Sequence, residues 1–109
     1  MAYSENTTAL AAAFMQASGF YRGGQKGKIG SEVMQDLNDD EKDEYKWSLP
    51  RTDACWAEFF SKVAIRQGRL SYAVALVPVE MTDKNTVAEL TNFSPNFARV
   101  VKTAQALKQ

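Results

Sequence analysis

Histidine is missing from this sequence altogether, and cysteine occurs once, as Cys55. The first absence removes the commonest general base and metal ligand, and with it every nucleophilic triad that relies on imidazole. The second leaves no internal disulfide, as expected of a protein kept in a reducing cytoplasm. One cysteine without histidine offers no zinc ligand set. A calcium loop fails as well. Asp36, Asn38 and Asp40 have the spacing of the first three EF-hand ligands, but Glu41 stands where the glycine is required and Trp47 where the closing glutamate belongs. No metal and no cofactor is expected.

Charge of one sign is also lacking. Thirteen basic residues meet thirteen acidic ones, so the formal net charge is zero. A long-range attraction to nucleic acid or to an anionic membrane is not expected, and any such binding must come from a local patch. No run approaches the ~20 apolar residues of a membrane span. The first residues carry no basic n-region, and their apolar run is broken by Gln16 and Ser18, so they do not read as a signal peptide. The expectation is a soluble cytoplasmic protein.

The 45% apolar and 24% charged fractions are those of an ordinary globular chain. The length fits one domain over 1–109 with a single modest core. Residues 7–18 are alanine-rich and read as a helix with a thin stripe of Leu10, Phe14 and Ala17, capped by Asn6 or Thr7 and stopped by Gly19. Ser31 opens a short helix. Asn38 and Glu41 have the spacing of a capping box for the next. Thr52 or Asp53 begins the strongest helical pattern, with Trp56, Phe59, Phe60 and Val63 on one stripe and Gly68 as its stop.

The period then changes. Leu70, Tyr72, Val74 and Leu76 alternate with Ala73, Ala75 and Val77, which predicts a strand over 70–79, apolar on both faces. Thr86 and Glu89 read as a capping box for another short helix, and Ser94-Pro95 as the start of the last. That helix carries Phe97, Val100, Val101, Ala104 and Leu107 on one face, with Arg99 and Lys102 on the other. The fold class expected is α+β, predominantly α-helical, with four to five short helices around one small β element.

Three features bear on function. The stretch 19–31 combines glycines with Phe20, Tyr21, Arg22, Lys26 and Lys28. It fails the phosphate-binding P-loop pattern at two positions, because Gly27-Lys28 is followed by Ile29 and the leading glycine is replaced by Arg22. Bare amides, cations and rings could still hold single-stranded nucleic acid, aided by Arg99 and Lys102. The alternative is a solvated connector anchored to the core by Phe20. The acidic run 36–44 reads either as a solvated helix surface or as a face that docks on a basic partner, with Tyr45 and Trp47 beside it as interface aromatics. Ile65 projects away from the Trp56 stripe. With Tyr72 on an unpaired strand, it suggests apolar surface awaiting another chain. Cys55, on the flank of the core stripe before Phe59, reads as a buried structural thiol.

These patterns favour a non-enzymatic interaction or assembly protein, working by self-association or by docking on a protein partner. Tyr45, Trp47, Ile65 and Tyr72 are its candidate contacts. Small accessory proteins of viruses and mobile elements share this general character. The second reading is a nucleic-acid-binding module using the 20–28 loop and the basic face of the last helix.

Overall fold

The computed structural model describes residues 3–20, 31–47 and 52–108. Seven α-helices occupy them: α1 (Glu5–Ala17), α2 (Ser31–Asp36), α3 (Asp39–Trp47), α4 (Asp53–Arg66), α5 (Leu70–Ala75), α6 (Lys84–Phe93) and α7 (Pro95–Lys108), with a 3₁₀ turn over Val79–Thr82. No strand is present among the described residues. The fold is all-α, which corrects the expected α+β class and its small β element.

The error has a physical cause. The segment from Leu70 to Val77 satisfies two periods at once, as short apolar runs often do. Ala73, Val74 and Val77 are the buried members and Leu70 is half-buried. Their spacing of three and four residues is that of one helix face, while Ser71, Tyr72 and Ala75 face outward. Two alanines and few β-branched residues weaken the strand alternative further. A helix satisfies its own backbone, so the unpaired edge expected at 70–79 does not exist.

Helix α4 is central, packing on α1 and α7, while α7 also meets α5 and α6. The core is aromatic. Phe14, Phe20, Trp56, Phe59 and Phe97 are at most 1% exposed. Phe14 lies 5.0 Å from Phe97 and 5.7 Å from Phe60, and Phe20 lies 5.4 Å from Trp56 between ring centroids. Gly19 adopts φ +69°, a left-handed turn that returns the chain so that Phe20 enters the core.

The polar stripe of α4 binds its neighbours. Cys55, Glu58, Lys62 and Arg66 recur at helical spacing, between the faces that bury Trp56, Phe59, Phe60 and Val63. Cys55 is exposed on this stripe, not buried as the sequence suggested. Glu58 reaches the start of α7, where its carboxylate accepts the Asn96 amide at 3.1 Å and the Phe97 amide at 2.9 Å. Two otherwise open helix donors are satisfied there, at the positive end of the helix dipole. Ser94 had the position for that task, but its hydroxyl is engaged with the Tyr3 hydroxyl at 2.6 Å.

Glu89 plays the matching part for α1. It does not pair with Thr86. Asp83 caps α6 instead, accepting from the Thr86 amide at 2.9 Å. Glu89 accepts from the Thr7 hydroxyl at 2.7 Å, from the Ser4 hydroxyl at 3.1 Å and from the Ser4 amide. Partial burial pushes its pKa up, but these hydrogen bonds outweigh that and hold it below the usual carboxylate value. Hydrogen bonds from Thr86 lower that of Asp83.

Candidate docking groove

The same α4 stripe decides the fate of the acidic segment. Asn38 and Glu41 form the expected capping box, with the Asn38 amide 2.9 Å from the Glu41 carboxylate and the Glu41 amide 2.8 Å from the Asn38 side chain. Glu41 is also buried, and Arg66 reaches it at 2.5 Å. Lys62 pairs with Glu44 at 2.9 Å, and Arg69, just past α4, pairs with Asp36 at 2.8 Å. Three acids thus run antiparallel to three cations of the same chain. Much of the acidic run is therefore engaged internally, while Asp39, Asp40 and Asp43 remain exposed. Tyr45 and Trp47 lie on α3, with side chains outside the described residues.

An open groove of about 490 Å³ lies where the end of α4, helix α5 and one face of α7 meet. Ile65, Leu70, Val74 and Leu107 supply its apolar lining. Ser71, Arg99 and Thr103 supply its polar atoms. Gly68, with φ +73°, makes the turn from α4 into α5 that opens the space.

Helix α7 explains why this surface is apolar. Phe97, Val100, Val101 and Ala104 are fully buried, yet Leu107, next on the same stripe, is 73% exposed. The apolar face continues beyond the core that covers it. Arg99 lines the groove and is exposed, and none of the ion pairs formed among the described residues involves it. This separates it from Arg66 and Arg69 nearby, whose charges are matched.

The sequence candidates are distributed unevenly. Ile65 is half-buried in the groove wall rather than fully outward, and Arg99 joins it there. Lys102 is exposed on α7. Tyr72 is 51% exposed but sits outside the groove, beside Asp36, Gln67 and Arg69. Phe20 lies in the core with no open face for a base to stack on. Tyr21, Arg22, Lys26 and Lys28 lie outside the described residues.

Leu70, Ser71, Val74, Thr103 and Leu107 were not singled out by sequence reasoning. The first three were hidden by the strand reading. Leu107 was placed on the α7 stripe, but nothing in the pattern marked where the core ends. Among the described residues, no helix is long and apolar enough to cross a membrane, and no group of histidine, cysteine or carboxylate side chains could hold a metal ion. Comparison of the chain with protein-family models, with curated proteins and with solved structures finds no match.

Proposed function

We propose that this protein is a non-enzymatic docking module that receives an apolar segment of a partner protein in the groove between α4, α5 and α7. The observation that carries the reading is Leu107. It extends the buried stripe of α7 over a groove lined by Ile65, Leu70 and Val74. A continuous apolar surface of this kind, rimmed by a cation and hydroxyls, is characteristic of interaction sites. Pairing through a strand edge is no longer a route to self-association, because 70–75 is helix.

The test is selection from a displayed library of helical peptides, with counter-selection on Ser71→Trp. Ser71 is exposed at the groove, so an indole placed there fills it without entering the core. Enriched peptides that bind the wild type and not the Trp variant support the reading. Equal binding to both proteins would refute it. The nucleic-acid alternative is addressed by titrating fluorescent single-stranded DNA and RNA near physiological salt. Micromolar binding lost on combining Arg99→Glu with Lys102→Glu would displace the docking reading.

A further inference from the structure

We infer that the segment held by this groove is an acidic amphipathic helix from a different protein, with a carboxylate that pairs with Arg99. The inference rests on the docking reading above and names the chemistry of its partner.

Backbone chemistry selects the helix. The groove is walled by three helices rather than by strands, so it offers no strand edge for an extended peptide to join. Ser71 and Thr103 contribute hydroxyls, and that of Thr103 already donates to the Arg99 carbonyl at 2.8 Å. An extended segment would bury its peptide groups here with few partners, which is costly. A helix brings its backbone already satisfied and needs only an apolar stripe to lay against Ile65, Leu70, Val74 and Leu107.

Charge selects the sign and excludes a symmetric dimer. Among the described residues, the groove lining holds one charged side chain, Arg99, and no carboxylate. Elsewhere on this side of the molecule the chain pairs its cations with its own acids, as Arg66 with Glu41 and Arg69 with Asp36. Arg99 has no such mate among the described residues, and Lys102 lies exposed one turn further along α7. A twofold contact centred on the groove would cover Arg99 of both copies with a described lining that offers neither a carboxylate, and an uncompensated charge so covered opposes association. An acidic helix meets the same surface with complementary charge.

The experiment uses one designed amphipathic helix of about 20 residues, beyond the length at which isolated helices are marginal in water. Its leucine stripe is constant, and the residue placed to meet Arg99 is Glu, Gln or Lys in three versions. Fluorescence anisotropy measures each against wild type, Arg99→Glu and Ser71→Trp, with circular dichroism confirming that the variants fold. The Glu version is expected to bind wild type about tenfold more tightly than the Lys version, with the order reversed on Arg99→Glu and all binding lost on Ser71→Trp. Equal affinity of the three versions for wild type and Arg99→Glu, still lost on Ser71→Trp, would overturn the acidic partner while leaving groove docking intact. No binding by any version would overturn both. So would a wild-type dimer, seen by light scattering, that Leu107→Asp dissociates, or stoichiometric binding of decanoate that Ser71→Trp blocks, since each gives the groove another occupant.

Discussion

Replacing Glu58 with alanine should be among the most damaging changes that leave the aromatic core intact. The carboxylate accepts from the Asn96 amide at 3.1 Å, the Phe97 amide at 2.9 Å and the Asn96 side chain at 2.9 Å. Loss of a helix N-cap costs about 1 kcal/mol, and a hydrogen bond to a charged group contributes about 1.5 kcal/mol or more when desolvated. The half-exposed position of Glu58 reduces the second figure, so Glu58→Ala should cost about 2 kcal/mol in all. Glu58→Gln keeps an acceptor but loses the charge that complements the dipole of α7, and should cost about 1 kcal/mol. For a domain of this size each kcal/mol lowers Tm by about 4 °C, so the expected shifts are about 8 °C and 4 °C. Thermal and urea unfolding followed by far-UV circular dichroism measure them. The loss should be global, because α7 carries Phe97, Val100, Val101 and Ala104 into the core. Stability within about 0.5 kcal/mol of wild type for the alanine variant would refute the reasoning, since that is the scale of an ordinary surface change. Equal losses for alanine and glutamine would show that the charge alone carries the effect, and no loss for glutamine would show that charge is not what matters.

Three further outcomes can be measured on the same unfolding curves. Ser61 is fully buried and its hydroxyl finds no partner among the described residues, so Ser61→Ala should be neutral or stabilising by up to about 1 kcal/mol, and a loss of that size would contradict it. Arg66 meets a buried carboxylate whereas Lys62 and Glu44 are each more than a third exposed, so Arg66→Met should cost about 2 kcal/mol and Lys62→Met less than about 1 kcal/mol; the reverse order would refute the account of the acidic segment. Asp83 and Glu89 have lowered pKa values in the folded state, so their contribution is present above the ordinary carboxylate range and lost as pH falls through the lowered values. Stability should therefore decline below about pH 5, less steeply in the variant combining Asp83→Asn with Glu89→Gln, and identical slopes would show that neither group is responsible.

The helices with long apolar stripes or clear caps were legible in the sequence. Thr52, one of the two starts the pattern offered, caps α4, and Asn38 with Glu41 forms the expected reciprocal cap. Those signals are local, set by residues three or four apart. What escaped was tertiary. Glu58 and Glu89 cap helices distant in sequence, and a local rule could assign them only to their own helices. The segment from Leu70 to Val77 was ambiguous because its residues fit two periods, and the surface that buries Ala73 and Val74 resolved it. Cys55 was misjudged by a single helical position, since Ala54 and Trp56 on either side are buried. Of the groove, Ile65 and Arg99 were marked in advance, but for separate reasons that did not connect them. The exposure of Leu107 is set by which neighbouring elements reach the end of α7, which the α7 pattern does not contain.

The most direct test of the docking account is a methyl-resolved NMR titration of the wild-type protein with the glutamate-bearing helix. The methyl signals of Ile65, Leu70, Val74 and Leu107 should shift together and saturate at one equivalent, while Val87 and Leu90 on α6, which contribute nothing to the groove, should not move. Saturable shifts centred on α6, or no saturable shift at all, would contradict the assignment of the α4–α5–α7 groove as the docking site.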